Sequence, residues 1–408
     1  RAAELLNEAI DPKQLVASMS LAQIKGLVPN SGALVLPAIS SLGTSVFVFT
    51  GDTSHDLGVL LLPTLTSRVT AEWLKIFRAG DSALYASAPS ERASALRDFQ
   101  EALLELGKEF WVHFYKPIIE FLRTRYQISD SGPLTVITHG DLDALPIHTA
   151  LRTRDGRLRF LIEDRVLRFA PGLYSLLAMH QSEVKRKPRP PSIAAFINPT
   201  GDLTYGETVE WPLIRSLAWD GASSEHIGSG SATMSAITSI AQRLSQKESF
   251  THLHFITHGQ FDADSPESSG ILLSSGQGEP AVTLTVLDVL RLPRMRGLEL
   301  VCLSTCQSAL SDVSKSTDEF IGMTTAFILA GAGSILGTLY SIRESSAAVV
   351  MSAVYGELLA TRSLEHPLDV AEAFQKIVVE RLRSDPGQEH KNQAISLADW
   401  AAFRPVCR

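Results

Sequence analysis

The chain has 408 residues, more than one ordinary hydrophobic core accommodates, which predicts two or three domains. Hydrophobic residues at 45% and charged residues at 20% fall in the globular range and exclude global disorder. A net charge of −7 offers no basic field for nucleic acid, and three cysteines without a repeating spacing build no disulfide framework, so the reducing cytosol is the expected compartment.

In chain order, Arg1 to Ile10 carries neither an initiator methionine nor an apolar signal core. The chain is therefore expected to be an excerpt of a longer protein, with Leu5, Leu6, Ala9 and Ile10 at the spacing of a trailing helix. Helical segments are expected to continue until Thr44 to Thr50 and Gly58 to Leu62, two apolar runs split by polar residues, which read as a hairpin. Two long amphipathic helices follow, around Thr70 to Phe77 and Glu91 to Phe121, and then strands at Leu134 to Thr138 and from Arg159 through Phe169. Four cations and three prolines fill Lys185 to Pro191, a composition no core element tolerates. That stretch divides the chain into a helical and β region over 1–184, a basic proline-rich linker over 185–191, and a second domain over 192–408.

The second part alternates more regularly. Strands are expected at Ile193 to Ile197, His252 to Thr257, Leu300 to Ser304 and Ile335 to Leu339, with a hairpin from Ile271 to Leu284. Helices are expected at Thr233 to Leu244, Phe320 to Ala330, Ala347 to Leu359 and Val370 to Leu382. This alternation predicts an α/β fold, a mostly parallel sheet with helices on both faces, whose ligands sit beyond the carboxyl ends of the strands. Phe320 to Ile342 is uncharged and long enough to span a bilayer, but Gly331, Gly333 and Gly337 split it into a helix, opened by a capping box at Ser316 to Glu319, and a strand. No membrane span is expected. The same glycines do not make a dinucleotide loop, because they close a helix and open a strand, and no phosphate loop occurs elsewhere; no cofactor is expected.

Two of the buried strands end in reactive residues, His258 and Cys306. A thiol is a nucleophile as its thiolate, and an imidazole beside it can hold it so by taking the proton. The histidine precedes the cysteine by 306 − 258 = 48 residues, near the roughly 50 of caspases, although Ser304-Thr305-Cys306-Gln307-Ser308 is not the caspase pentapeptide. Gly259, lacking a side chain, lets its amide approach a substrate oxygen. His252, His254 and His258 recur along one strand, which keeps a metallohydrolase in view with Asp262 and Asp264 nearby. Cys302, within Leu-Val-Cys-Leu, reads as core.

His254 to Gly259, Ser269 to Ser274, Leu303 to Cys306, Asp318-Glu319, Ala330 to Gly333 and Trp400 to Phe403, with Leu134 to Gly140, Leu145-Pro146 and Phe169 to Pro171 upstream, together resemble a CHAT domain. These are caspase-like modules related to separase, often placed behind TPR repeats. The resemblance implies a caspase-like catalytic domain preceded by a pseudo-caspase-like half, and a cysteine endopeptidase with a His258–Cys306 dyad and no third acid. It implies an oxyanion hole from the amides of Gly259 and Cys306, a protein substrate, and regulation by a partner sensed through upstream repeats. Where most relatives read Cys-Glu-Thr-Gly, this chain reads Cys306-Gln-Ser-Ala309, which alters the loop beside the thiol and leaves open a catalytically inactive scaffold. The carboxylates Asp202, Glu207 and Glu210 lie in a loop that in relatives can line the pocket for the residue before the cut, where they would favour arginine or lysine. The repeated Thr-His-Gly at 138–140 and 257–259 suggests a duplicated unit whose first copy lacks the cysteine.

Overall fold

The computed structural model describes residues 19–29, 31–52, 54–184, 190–217, 224–228, 230–247, 250–260, 268–276, 279–305, 322–361, 369–383 and 396–408. Cys306 with its Gln307-Ser-Ala309 loop, the capping box at 316–319, Asp262, Asp264, the first 18 residues and most of the proline-rich linker lie outside the described residues.

The first half opens with helix α1 (Leu21–Lys25) and strands β1 (Ala33–Ser40), β2 (Gly43–Thr50) and β3 (Gly58–Leu62). Helices α2 (Ser67–Ala86), α3 (Arg92–Phe110) and α4 (Lys116–Tyr126) follow, the last two joined by a single π-helical turn, Trp111–Tyr115. Strands β4 (Leu134–Ile137), β5 (Leu151–Arg154), β6 (Arg157–Phe160) and β7 (Leu167–Ala170) and helix α5 (Leu173–Val184) complete it. The expected hairpin is β2–β3, with Thr44 opposite Leu62. β1, by contrast, stands where helix was expected. Its Pro37 argues against a strand on sequence grounds, yet it pairs with β2 on one side at Val46, beyond the Ala33 to Val35 stretch that pairs with β4 on the other.

The second half contains strands β8 (Ile193–Ile197), β9 (Ser224–Ile227), β10 (His252–Ile256), β11 (Gly259–Gln260), β12 (Gly270–Leu273), β13 (Val282–Thr285), β14 (Leu300–Ser304), β15 (Ser334–Thr338) and β16 (Phe403–Val406). Its helices are α6 (Trp211–Arg215), α7 (Met234–Lys247), α8 (Val286–Arg291), α9 (Met323–Leu329), α10 (Glu344–Thr361), α11 (Val370–Arg383) and α12 (Leu397–Trp400). Another π turn, Gly206–Glu210, leads into α6.

One 11-stranded sheet runs through both halves in the order β3-β2-β1-β4-β7-β16-β15-β14-β10-β8-β9. Only β3–β2, β2–β1 and β15–β16 are antiparallel. Residues of β8, β10, β14 and β15 are all buried, the continuous burial of central parallel strands covered by helices on both faces. The C-terminal strand β16 sits between the halves, antiparallel to β15 and parallel to β7. Buried Arg404 on it donates to the Asp143 and Leu145 carbonyls, so the end of the chain clamps the first half to the second.

Helix α2 carries Thr70, Trp73, Leu74 and Phe77 on its buried side, the i, i+3, i+4, i+7 spacing that lays one stripe on a core. Phe77, Phe99 of α3 and Tyr340, just past β15, meet in edge-to-face and tilted contacts with centroids 5.4–5.9 Å apart. First-half helices thus reach the strand ends of the second half. Among the described residues no helix is long and apolar enough to cross a membrane.

Candidate active site

Strand β10 is flanked by parallel β8 and β14, with Ile256 opposite Ile197 on one side and Ser304 on the other. Parallel strands finish on one edge of a sheet, which is where a site in this architecture collects its loops. His258 follows the register pair Ile256/Ser304 by two residues, and Cys306 follows it by the same two.

β8 stops at Ile197. Asn198 takes a left-handed backbone (φ 48°), tolerable for Asn because its short amide bonds locally, and ends the strand while its N–H still donates to the Ile256 carbonyl at 2.8 Å. The Asn198 amide oxygen accepts from Leu203 N (2.8 Å) and its nitrogen donates to Glu207 Oε2 (2.9 Å), fixing the loop that follows. That loop delivers Asp202 to His258, whose Nε2 lies 3.0 and 2.9 Å from the two carboxylate oxygens. The Thr200 hydroxyl, and after it the His258 ring, hold the Asp202 carboxyl below the usual carboxylate range against partial desolvation. With Nε2 donating to Asp202, Nδ1 is the ring nitrogen left to accept a proton. Asp202, read from sequence as a pocket carboxylate with no partner assigned to the histidine, is a third acid beside it. The signal was a Gly201-Asp202 turn directly after a strand adjacent to β10; only the strand order reveals that adjacency.

The other two carboxylates of this loop are committed elsewhere. Glu207 holds Asn198, and buried Glu210 accepts from Ser304 Oγ at 3.1 Å and faces His254 Nε2 at 3.1 Å. Tyr355 of α10 contacts the other nitrogen of His254 (3.3 Å). One glutamate thus ties together β10 and β14, the two strands that lead to His258 and Cys306. His252 Nδ1 lies 2.7 Å from Thr251 Oγ1. The three histidines therefore do not converge: His252 meets Thr251, His254 meets Glu210 and Tyr355, and His258 meets Asp202. Among the described residues no group of three or more His, Cys, Asp or Glu side chains could hold a metal ion. Cys302 is fully buried, and burial pushes its thiol up to about 12, the environment of a core residue rather than a nucleophile.

Gly259 begins β11, opposite Ile271 of β12. Leu272 N donates to the His258 carbonyl at 2.9 Å, which makes 258 and 272 the hydrogen-bonded pair. Gly259 is then in a non-hydrogen-bonded position, its N–H directed away from β12.

The sequence matches the family model of the CHAT domain over residues 90–408. The chain belongs to the CHAT domain family. The CHAT match takes in the last three helices and the last four strands (β4 to β7) of the first half as well as the whole second half. No curated protein matches the sequence. In structure the chain is similar to the separase–securin complex of Saccharomyces cerevisiae in two crystal structures. The one at 2.6 Å resolution gives a TM-score of 0.58 at 11% identity, covering 94% of this chain and 30% of the other; the one at 3.0 Å gives 0.60 at 10% identity with the same coverage. The chain therefore spans about a third of the chains it resembles, and at this identity the likeness establishes the fold alone: the caspase-like α/β sheet of separase.

Proposed function

We propose that this CHAT domain is a cysteine endopeptidase in which Cys306 is the nucleophile and His258 its base. The observation that supports the reading is the β10–β14 register, in which Ile256 pairs with Ser304, two residues before His258 and before Cys306 in sequence, together with the contact of Asp202 on His258. In the reaction, Nδ1 of His258 takes the thiol proton and the Cys306 sulfur attacks the peptide carbonyl carbon, forming a C–S bond. Negative charge gathers on the carbonyl oxygen, where the amides of Gly259 and Cys306 would donate; losing one such donor costs about a hundredfold to a thousandfold in rate. Collapse breaks the C–N bond, the imidazolium returns its proton to the leaving amine, and water hydrolyses the thioester to regenerate the thiol. Asp202 holds the ring in the tautomer this sequence needs.

The substrate is a protein, and regulation runs through a protein partner. The similar separase chains were crystallised in a complex with securin, a precedent for a protein partner bound to this fold.

A peptidyl electrophile tests the proposal. Covalent labelling of Cys306 in the full chain, lost in His258→Ala, is the expected result. Labelling that survives His258→Ala, or no labelling and no peptide hydrolysis with any partner added, would leave a peptidase fold working as a scaffold.

A further inference from the structure

A cavity of about 460 Å³ opens between the two halves, within the roughly 300–1,000 Å³ of small-ligand pockets. Its position follows from strand order. One wall is Tyr340 to Arg343, the segment leaving β15, and β15 lies next to β14 with Cys302 opposite Leu336. Tyr340 stands two residues past the carboxyl end of β15, so the cavity begins at the strand-end edge on the side of β14 away from β10. The opposite wall comes from α2 and α3 of the first half.

The lining is mostly apolar, with Leu84, Leu96 and Ile342 along it and Tyr85, 75% exposed, at its mouth. Its charges are unequally provided for. Asp399 accepts from both Arg343 (3.0 Å) and Ser396 (2.8 Å). The guanidinium of Arg92 donates to the Ser87 carbonyl at 3.5 Å. Asp81 has no hydrogen-bond or ion-pair partner among the described residues, although it faces the cavity and lies near buried Tyr340. An ionised carboxylate withdrawn from water without a partner is costly, and burial alone raises the Asp81 carboxyl to about 6. Such groups in clefts mark ligand sites more often than surface carboxylates do.

We infer that this cavity binds the side chain of a lysine or arginine, its alkyl stem along Leu84, Leu96 and Ile342 and its cation on Asp81. The match is chemical. A long apolar stem ending in a cation buries its methylenes while the charge completes the unpaired carboxylate, and the Tyr85 ring at the mouth adds a face a guanidinium can stack on. That the cation arrives on a polypeptide substrate rests on the peptidase reading above; the cation site itself does not. Asp81 would make the first half part of substrate selection rather than a support only.

The two parts separate in one set of measurements on the full chain. Calorimetric titration with agmatine, an alkyl guanidinium, is expected to give millimolar binding that Asp81→Asn weakens about tenfold or more, that Cys306→Ala leaves unchanged, and that pentanoate does not reproduce. No agmatine binding up to ~20 mM, or binding indifferent to Asp81→Asn, overturns the site. Peptidyl electrophiles carrying arginine or norleucine then test the substrate. Faster labelling of Cys306 by the arginine probe, lost in Asp81→Asn, supports it, and equal labelling overturns it. Should neither probe label Cys306 while agmatine binds through Asp81, the peptidase reading fails and the cation site stands.

Discussion

Strand β4 runs into Thr138-His139-Gly140 and strand β10 into Thr257-His258-Gly259, yet the two histidines meet different neighbours. Beside β4, strand β1 continues to Ser40 and turns into the β1–β2 hairpin, and the Ile39 N–H donates to His139 Nδ1 at 3.3 Å. Beside β10, strand β8 stops at Ile197, the left-handed Asn198 redirects the chain, and the loop places Asp202 on His258 Nε2. In the first half the ring nitrogen Nδ1 is occupied by backbone; in the second it has no hydrogen-bond partner among the described residues. The strands on the other side differ as well. β7 pairs with β4 so that Ile137 faces Ala170, two residues before His139 and Gly172, whereas β14 pairs with β10 so that Ile256 faces Ser304, two residues before His258 and Cys306 in sequence. The comparison teaches that a strand ending in Thr-His-Gly is not in itself a site. What decides is whether the neighbouring strands stop early enough to supply an acid and a thiol.

The largest expected contrast is between the histidines themselves. His258→Ala should lower peptide turnover by about a thousandfold or more, the scale of losing an essential base, while His139→Ala should leave it within about twofold. Hydrolysis of a peptide pool by the two variants at equal concentration measures this. Comparable losses in both would mean that His139 has a role the first-half geometry does not explain.

Asp202→Asn should reduce turnover by about a hundredfold. The loss is set below the roughly ten-thousandfold of a buried triad acid because the His258 and Asp202 side chains are 38% and 64% exposed, where water screens the pair. For the same reason the melting temperature should barely move. A drop in melting temperature of more than about 5 °C would show Asp202 to be a structural prop of the loop instead.

Much of this was legible in the sequence. β8, β10 and β14 are short apolar runs bounded by polar turns, so their existence and nearly their limits follow from composition alone, as does the place of His258 just past the end of β10; Cys306 lies outside the described residues. β1 and β16 were not legible. Each contains a proline that argues against a strand, and each is tolerated because pairing is incomplete there: β16 meets β7 only at Val406 opposite Phe169. Asp202 was visible as a residue but not as the partner of His258, because that contact depends on β8 lying next to β10 across more than 50 residues of chain. Glu210, read from sequence as a pocket carboxylate, was likewise not visible as the buried partner of His254 and Ser304, because the π turn that buries it has no periodic apolar signature.

Glu210 supplies the next test, because it is the buried carboxylate that joins the two strands β10 and β14. Its two oxygens serve His254 on β10 and Ser304 on β14, both buried. Glu210→Gln keeps the shape and one acceptor but turns the other oxygen into an amide donor, and should destabilise the fold by about 2 kcal/mol in denaturant melts, since a buried polar partner is left without its acceptor. His139→Ala should cost less than half of that. Equal costs would deny β10 and β14 any special anchoring.

The smallest effect concerns the first half's contribution to the strand-end edge, Asp81. Its carboxyl is raised from 3.8 to about 6 by burial, so between those values the folded chain binds more protons than the unfolded one. Stability due to this group is therefore full below about pH 4, falls as pH rises to about 6, and is lost above it. The other charged and titratable groups lining the cavity are Tyr85, Arg92, Tyr340, Arg343 and Asp399, and Asp399 already accepts from Arg343. Asp81→Asn should accordingly be more stable than wild type at pH 8, by on the order of 1 kcal/mol once the residue's partial exposure is discounted, with the gap closing toward pH 4. Chemical denaturation at the two pH values measures it. A gap of the opposite sign at pH 8 would mean that Asp81 is paired in solution. Agmatine should close the pH 8 gap by raising wild type alone, because a bound cation supplies what the asparagine makes unnecessary.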